Sequence, residues 1–265
     1  MRVVTMLTDF GLSDSYVAQM KGVITDLCPT ARIFDISHMV RRHDILSGAF
    51  LLETAVPFFP NNSIHLGVVD PGVGADRLPI VVKAKTATLL GPDNGLLERA
   101  ARRLGVIAVY KIDVAELELG EVSSTFHGRD VFAKTTGMLA SGLRAEDVGP
   151  PVKGLAKLQL QEAEVKGGIL ECRILHIDTF GNLITNAHNA MLRRLTSQGL
   201  VPQTVKSSSR SRRVRIAKTY SDARLRKLVV LEGSQGYVEV AAREADADNM
   251  LHVRTREKLR ILFSR

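Results

Sequence analysis

Apolar positions follow two different spacings in the first 150 residues of the chain. Runs of strand length are found at residues 2–7, 32–36, 63–69, 80–90 and 106–110. Stretches with helical spacing lie between and after them, at residues 13–27, 43–56, 94–104 and 130–141. Ser13 or Asp14 is available to cap the first of these helices. Strands that alternate with helices predict a mostly parallel sheet covered by helices on both faces.

The pattern changes after Gly149-Pro150-Pro151. Residues 153–167 are polar and typical of a linker. The apolar runs beyond it are short and closely spaced, at residues 169–177, 182–186, 201–206, 214–219, 227–232, 237–241 and 259–263. Such runs, with few helices between them, favour a small sandwich or barrel. We therefore predict an α/β domain over residues 1–152, a linker over 153–167 and a β domain over 168–265.

Composition narrows the class of protein. Of 265 residues, 45% are hydrophobic and 24% are charged, which is typical of a globular protein and excludes disorder as the main state. No apolar run approaches the roughly 20 residues of a membrane span, so we expect no membrane partner. The chain starts with a strand-like run rather than a signal peptide, and it has only two cysteines, Cys28 and Cys172. These features predict a cytoplasmic protein with reduced thiols.

The net charge of +8 includes a local excess of basic residues. The excess is formed by Arg210, Arg212, Arg213, Arg215 and Lys218. A basic cluster of this kind can bind nucleic acid, or it can be a solvated hairpin. Because no aromatic residue is interleaved with these charges, a platform for base stacking is missing. We favour the solvated hairpin and do not expect nucleic acid as a partner.

Polar motifs follow several of the predicted strands, and ligands of open α/β sheets bind beyond the carboxyl ends of strands. Three of them are Thr8-Asp9-Phe10-Gly11, Asp70-Pro71-Gly72-Val73-Gly74 and Gly91-Pro92-Asp93-Asn94-Gly95. A fourth, Thr125-Phe126-His127-Gly128-Arg129-Asp130, precedes a predicted helix. These motifs are where candidate chemistry is concentrated in the first domain.

Each candidate residue in these motifs also has a structural interpretation. Asp9 can receive ribose hydroxyls or can cap a turn, and Asn94 can simply begin a helix. Asp70 and Arg77 flank a glycine-rich turn, where they can orient a water molecule or form a structural ion pair. His127 joins them only if the fold brings it to the same place. Spacing alone leaves these alternatives open.

A further motif, Asp178-Thr179-Phe180-Gly181-Asn182, lies between two predicted strands of the second domain. Its carboxylate, aromatic ring and amide suit an ammonium group and a flat heterocycle. Glycine and asparagine at these positions are equally typical of a tight β-turn. Spacing alone favours the turn.

Taken together and in this order, the motifs resemble the S-adenosylmethionine hydroxide adenosyltransferases, relatives of fluorinase and chlorinase. The resemblance extends over nearly the whole chain. It implies an N-terminal α/β domain joined to a smaller C-terminal β-barrel domain. It also implies a homotrimer with the substrate, S-adenosylmethionine, bound between subunits.

The resemblance also assigns site residues. The family's set for handling water corresponds to Asp70, Arg77 and His127. Its ribose-binding carboxylate corresponds to Asp9, and Asn94 is included among the substrate-binding residues.

In the second domain the resemblance implies that Asp178 binds the methionine ammonium group. It places Phe180 and Asn182 beside adenine. Ser234 would contact the methionine carboxylate, although Gln235 replaces an arginine that many relatives carry there.

The halogenating relatives differ at two positions and carry an extra loop near residues 85–89. They have tyrosine in place of Asp70 and serine in place of Gly128. A carboxylate repels a halide, whereas water gains from a nearby base, so the resemblance favours water as the nucleophile. The predicted reaction is hydrolysis of S-adenosylmethionine to adenosine and methionine. Because methionine leaves as a neutral sulfide, we expect neither cofactor nor metal.

Four other functions remain as alternatives. The first is a halide-dependent 5′-halogenase of the same fold. The second is a protein that binds adenosine or S-adenosylmethionine without turnover. The third is a metal-dependent hydrolase that uses His127, Asp130 and Asp70. The fourth is a nucleic-acid binder that works through residues 210–218.

Overall fold

The computed structural model describes residues 2–265. It contains two compact units, one ending at Leu158 and the other comprising Gln159–Arg265. None of the described helices is long and apolar enough to cross a membrane.

The N-terminal unit is a six-stranded sheet with helices on both faces. Its strands are β1 (Val3–Thr8), β2 (Arg32–Ser37), β3 (Ser63–Val68), β4 (Pro79–Ala84), β5 (Ala87–Pro92) and β6 (Val106–Lys111). Their order is β2-β1-β3-β5-β4-β6, and only β4 runs antiparallel to its neighbours. The helices are α1 (Tyr16–Leu27), α2 (Ile45–Ala55), α3 (Glu98–Leu104) and α4 (Lys134–Ser141). The prediction of a mostly parallel, helix-covered sheet is confirmed.

Alternation of side chains along the strands gives this sheet a separate core on each face. On one face, Met6 of β1 packs in a cluster with Met20 and Ile24 of α1. On the other, Leu7 packs in a cluster with Leu52 of α2. The polar residues that follow the parallel strands therefore lie at one edge of a sheet that is packed against helices on both faces.

Several element boundaries differ from the prediction, because local capping and turns decide them. Residues 80–90, expected as one β-rich run, form the β4–β5 hairpin with Val82 opposite Leu89. The first helix starts after Ser15, whose side chain makes no capping bond, so neither Ser13 nor Asp14 caps it.

The second and third helices also begin later than predicted. His43 has a φ of 65°, which a helix cannot include, and the Asp44 side chain caps α2 by accepting a hydrogen bond from the Ser47 amide. In the third helix, residues 94–97 form a turn and the helix begins at Glu98. The stretch at 130–141 is composite, because a π-helical segment, Gly128–Ala133, precedes α4.

The C-terminal unit is a closed barrel. Its strands are β7 (Glu164–Lys166), β8 (Ile169–Ile177), β9 (Leu183–His188), β10 (Val201–Lys206), β11 (Ser211–Ile216), β12 (Leu228–Glu232), β13 (Tyr237–Ala242) and β14 (Lys258–Ser264). Seven strands follow one another in the order β14-β10-β11-β12-β13-β9-β8, and pairing of β14 with β8 closes the ring. The predicted β-barrel is thus confirmed.

Two features of this unit differ from the prediction. Strand β7 lies inside the stretch expected to be a linker and pairs with β8, because Val165 and Leu170 stand opposite each other in register. Two helices, α5 (Asn189–Ser197) and α6 (Ala247–Leu251), connect strands where none was predicted. Leu192 of α5 and Leu251 of α6 pack into the barrel core, so tertiary burial stabilises these short helices.

Candidate active site

Asp70, Arg77 and His127 contact one another in the N-terminal unit. Arg77 Nε donates to Asp70 Oδ1 at 3.1 Å and to Oδ2 at 2.9 Å, and Arg77 Nη2 donates to Oδ2 at 2.5 Å. The same Nη2 lies 2.9 Å from His127 Nδ1. The exposed fraction of the Arg77 and Asp70 side chains is only 10% and 5%. One guanidinium therefore joins a carboxylate to an imidazole in a largely buried network.

A glycine-rich turn brings the first two residues together. The Val73 amide donates to the Asp70 carbonyl, and the chain then reverses at Gly74, which has a φ of +79°. A Cβ at Gly74 would lie 2.8 Å from the Ser124 carbonyl oxygen. Only glycine allows both this conformation and this approach. The turn therefore packs directly on the segment that carries His127.

His127 immediately precedes the π-helical segment Gly128–Ala133. A Cβ at Gly128 would lie 3.1 Å from the Phe126 ring and 3.2 Å from the Phe10 ring. The glycine thus lets two aromatic rings pack against the backbone beside His127. Single-turn π-helical insertions are common at functional sites.

The environment keeps His127 neutral. Burial lowers the pKa of His127 below its ordinary value of 6.5, the positive charge of Arg77 lowers it further, and Asp70 and Asp130 partly oppose these effects. A guanidinium can only donate hydrogen bonds, so Nδ1 of His127 accepts from Arg77. The proton of the neutral ring is therefore on Nε2.

A cavity of about 390 Å³ opens above this network. Its lining includes Asp70 and His127 together with the rings of Phe10, Tyr16 and Phe126. The three rings contact one another edge to face, with centroids 5.1–6.0 Å apart. A pocket with aromatic walls and a charged floor suits a flat or cationic organic ligand.

Arg129 forms part of the cavity wall and contacts three neighbouring side chains. It donates to Asp130 Oδ1 at 2.6 Å and to Gln19 Oε1 at 2.9 Å, and its guanidinium lies 5.1 Å from the centre of the Phe126 ring. The hydrogen bonds from Arg129 lower the pKa of Asp130.

The metal-site alternative rests on His127, Asp130 and Asp70, and both of its carboxylates have arginine partners. Asp130 Oδ1 accepts from Arg129 Nε at 2.6 Å and Asp70 Oδ2 accepts from Arg77 Nε at 2.9 Å, so both carboxylates are paired with arginines. Among residues 2–265, no group of three His, Cys, Asp or Glu side chains is arranged to hold a metal ion.

Asp9 and Asn94 lie at the same edge of the sheet, and both bind backbone groups. Asp9 Oδ2 accepts a hydrogen bond of 2.9 Å from the His43 amide, and its side chain is partly exposed. Asn94 Nδ2 donates to the Val69 carbonyl at 2.9 Å, and Asn94 Oδ1 accepts from the Leu96 amide at 3.2 Å. Asn94 thus holds the residue that precedes Asp70.

In the barrel unit, Asp178 and Asn182 close a tight turn. Asp178 Oδ1 accepts from the amides of Phe180 and Asn182, both at 2.9 Å, and Oδ2 accepts from Asn182 Nδ2 at 3.0 Å. Phe180, at the tip, is 75% exposed. Ser234 lies on another exposed turn, which links β12 to β13.

A carboxylate that the sequence analysis missed lies in the same unit. Glu239 on β13 is only 6% exposed, and its Oε1 accepts a hydrogen bond of 2.7 Å from the Tyr220 hydroxyl. Burial and the charge of Asp178 raise the pKa of Glu239, and the hydrogen bond from Tyr220 partly opposes them. The signal in the sequence was a single charged residue within the apolar strand Tyr237–Ala242.

Two family models match the chain. The model described as SAM hydroxide adenosyltransferase N-terminal domain matches residues 4–149, and the model described as SAM hydroxide adenosyltransferase C-terminal domain matches residues 172–260. The chain belongs to the SAM hydroxide adenosyltransferase family.

Individual relatives agree with this family assignment. A protein of Salinispora arenicola named (R)-S-adenosyl-L-methionine hydrolase is 37% identical over 97% of both chains. A solved structure of an uncharacterized conserved protein from Thermotoga maritima is 32% identical, covers 98% of this chain and 99% of its own, and superposes with a TM-score of 0.90. A fluorinase of Actinoplanes sp. is 26% identical over 72% of this chain and 74% of its own.

The structure brings together some of the predicted site residues of this family member. Asp70, Arg77 and His127 form one network, and Asp9 and Asn94 lie on loops at the same sheet edge. Four residues of the cavity wall show what the sequence motifs contained. Phe10 and Phe126 belong to motifs identified in the sequence, whereas Tyr16 and Gln19 do not. Those two come from the first turns of α1, where no local signal distinguishes them from ordinary surface residues.

Proposed function

We propose that this protein hydrolyses S-adenosyl-L-methionine to adenosine and L-methionine. The observation that carries the proposal is the Asp70–Arg77–His127 network on the floor of the aromatic cavity. Family membership and the named activity of the Salinispora arenicola relative support the same reaction. From that relative's name we further infer that the substrate has the (R) configuration at sulfur.

The reaction is an in-line displacement at the ribose 5′ carbon. The water oxygen forms a bond to this carbon while the bond from carbon to sulfur breaks and its electron pair goes to sulfur. The sulfonium charge disappears, so methionine leaves without protonation. Loss of charge in the transition state is favoured in a pocket that contains little water, and the aromatic walls of the cavity provide one.

Asp70 is the group that we assign as proton acceptor. His127 Nδ1 is already occupied by Arg77, and Nε2 carries a proton, so the neutral imidazole has no free lone pair in this arrangement. The Asp70 carboxylate accepts bonds from Arg77 and retains lone pairs for a water molecule. Arg77 then fixes the direction of both partners, and His127 Nε2 can donate a hydrogen bond to the water oxygen.

Other residues are proposed to position the substrate. Asp9 would receive the ribose hydroxyls, and Asn94 acts through the Val69 carbonyl that it holds, rather than by touching the substrate. In the barrel unit, Asp178 would bind the ammonium group of methionine, and Phe180 and Asn182 the adenine ring. Ser234 would bind the methionine carboxylate.

We also propose a homotrimer with the substrate between subunits, as the resemblance to the family implies. Exposed apolar side chains such as Phe58, Met39 and Phe180 support contact with other copies. Light scattering during gel filtration tests this proposal. We expect three times the 29.0 kDa mass of one chain, and a monomer at micromolar concentration would contradict it.

A cytoplasmic location is proposed as well. The two cysteines, Cys28 and Cys172, are free and buried, as expected for a reducing compartment. Fractionation of the source cells, with detection of the protein in each fraction, tests the location.

A product assay by chromatography tests the proposed reaction. We expect equal amounts of adenosine and methionine, unchanged by chelators and by added chloride or fluoride. A 5′-halogenated nucleoside would instead establish the halogenase alternative, which the fluorinase relatives motivate. Binding of S-adenosylmethionine without products over hours would overturn the proposal in favour of a binding protein.

A further inference from the structure

A cavity in the barrel unit has no role in the proposed reaction. It measures about 960 Å³ and is formed by residues of β10, β11 and the start of β12. This volume is at the upper end of the range for small-molecule sites. We call it the barrel cleft. Its lining residues are Val201, Pro202, Gln203, Thr204, Arg213, Val214, Arg215, Ile216, Arg224, Lys227 and Leu228.

The cleft forms because β11 changes partner half-way along its length. Antiparallel pairing of β10 with β11 covers only residues 204–206 and 211–213. From Val214 onward, β11 pairs in parallel with β12, and the β10 residues before Thr204 have no register partner in β11. The two strands therefore diverge, and the ladder between them opens into a wedge. Such a gap exposes backbone hydrogen-bonding groups that a regular ladder would use.

Four cations face this wedge. Val214 is buried in the barrel core, so strand alternation directs Arg213 and Arg215 to the opposite, outer side. Arg224 and Lys227 come from one turn, in which the Lys227 amide donates to the Arg224 carbonyl at 3.0 Å. The register of Val214 with Leu228 places that turn next to Arg213.

None of the four cations has a side-chain partner in the described chain. Among residues 2–265, no ion pair or side-chain hydrogen bond involves the cations of the cleft, whereas Arg77 and Arg129 at the candidate active site are each paired with a carboxylate. The acid nearest in sequence, Asp222, accepts from the Lys218 and Thr219 amides instead. Four like charges in one concavity repel one another and concentrate a positive potential there. A concentrated positive potential of this kind attracts anions.

We propose that the barrel cleft binds the phosphate groups of a small polyphosphorylated molecule. The arginine guanidinium groups match phosphate oxygens in charge and geometry. Apolar atoms of Val201 and Ile216 line the remainder of the cleft and can pack against an uncharged part of such a ligand. A concave site of this size favours a small molecule over duplex nucleic acid, and its lining contains no aromatic ring on which bases could stack.

Calorimetric titration of the full-length protein with inorganic tripolyphosphate and with ATP tests this proposal. The test variant is Arg213→Gln/Arg215→Gln. The matched control is Arg210→Gln/Arg212→Gln, which removes the same charge from the same hairpin outside the cleft. We expect the test variant to weaken binding at least about tenfold and the control by less than about twofold. Melting temperature and hydrolysis of S-adenosylmethionine should be unchanged in both variants, which separates this test from that of the proposed function.

The outcomes of the titration are distinct. Tighter binding of ATP than of tripolyphosphate would assign the apolar wall to the nucleoside, whereas equal affinities would assign the cleft to the phosphate chain alone. Equal weakening in the two variants would overturn the proposal, because diffuse charge attraction would explain it. Absence of binding at millimolar tripolyphosphate would also overturn it. So would tighter binding of a short DNA duplex that both variants weaken equally.

Discussion

The two units of this protein differ in how their buried and half-buried carboxylates are paired. In the N-terminal unit, Asp70 is paired with Arg77 and, through it, with His127, and the network faces a cavity. In the barrel unit, the oxygens of Asp178 accept hydrogen bonds from its own turn, and Glu239 is buried and forms no ion pair among residues 2–265. The first arrangement joins three side chains from segments that are distant in sequence. In the second, the carboxylates accept hydrogen bonds from a turn or from a tyrosine hydroxyl.

The difference has a physical origin in the two architectures. Parallel strands end at one edge of a sheet, so side chains from loops far apart in sequence can meet there and pair. In a mostly antiparallel barrel, many connections are short turns whose polar side chains satisfy their own backbone first. If the Asp178 turn binds substrate, it must do so with the lone pairs that the turn leaves unused. Four substitutions and one pH profile test this contrast.

The largest effect is expected from Asp70→Asn. The amide has the same size but cannot accept the proton of water, so kcat should fall by about 10² to 10⁴. The measurement is adenosine release at saturating substrate. Asp147→Asn is the matched control, because Asp147 pairs with Arg144 away from the cavity, and it should retain full activity. Full activity of the Asp70 variant would contradict the role of this carboxylate.

The next effect is expected from Arg77→Lys. An ammonium keeps the charge but cannot bind both Asp70 oxygens and His127 Nδ1 at once, so kcat should fall by about 10- to 100-fold. Initial rates measure the change, and Arg144→Lys is the control on an exposed ion pair. Equal rates for wild type and the Arg77 variant would show that the fixed geometry of the network is dispensable.

The dependence of kcat on pH should report the neutral state of His127. Since burial and Arg77 lower the pKa of His127 below 6.5, the ring stays neutral as the pH falls through 6.5. We therefore expect kcat to decline only at a lower pH, where the ring gains a proton and Nδ1 can no longer accept from Arg77. A decline centred at or above pH 6.5 would contradict this assignment.

A smaller effect, on stability and separate from the loss of the proposed ammonium contact, is expected in the barrel from Asp178→Ala. The substitution leaves the amides of Phe180 and Asn182 without their acceptor, which should lower the free energy of unfolding by about 1–2 kcal/mol. Urea unfolding measures it, and Thr179→Ala in the same turn is the control. No loss of stability would show that the turn does not depend on this carboxylate.

The smallest effect is expected from Glu239→Gln. It is a change in the free energy of unfolding, and the way this change varies with pH tests the raised pKa of Glu239. The raised pKa of Glu239 means that the folded state holds its proton more tightly than the unfolded state. This contribution to stability is present below the ordinary pKa of 4.5 and is lost as the pH rises through the raised value. The variant lacks this loss, so its stability relative to wild type should increase between pH 4.5 and neutral pH. A difference that does not change with pH would contradict the prediction.

Much of the fold could be predicted from local patterns, and the exceptions are instructive. The alternation of apolar runs identified the strands of the sheet and of the barrel. It missed α5 and β7, because a short helix and a three-residue strand depend on burial and pairing rather than on a long periodic signal. The β4–β5 hairpin was merged into one run because its two-residue turn interrupts the apolar pattern only briefly.

The site divides in the same way. The motifs pointed to Asp70, Arg77 and His127, but each had a structural interpretation of equal weight. Asn94 illustrates what sequence could not decide, because its amide is used by Val69 and Leu96 rather than left free for a ligand. In the sequence, Glu239 is only one charged position in an apolar strand. The sequence does not indicate that Tyr220 is its neighbour in space.

By itself, the sequence determined the elements, the division into an α/β part and a β part, and, through the order of its motifs, the family. These properties depend on neighbours along the chain or on short motifs, which can be read locally. The tertiary structure decided that Arg77 meets His127 across 50 positions, that His127 carries its proton on Nε2, and that four cations share a cleft. Such contacts depend on how distant segments pack, as Gly74 does against Ser124, and no local pattern contains that information.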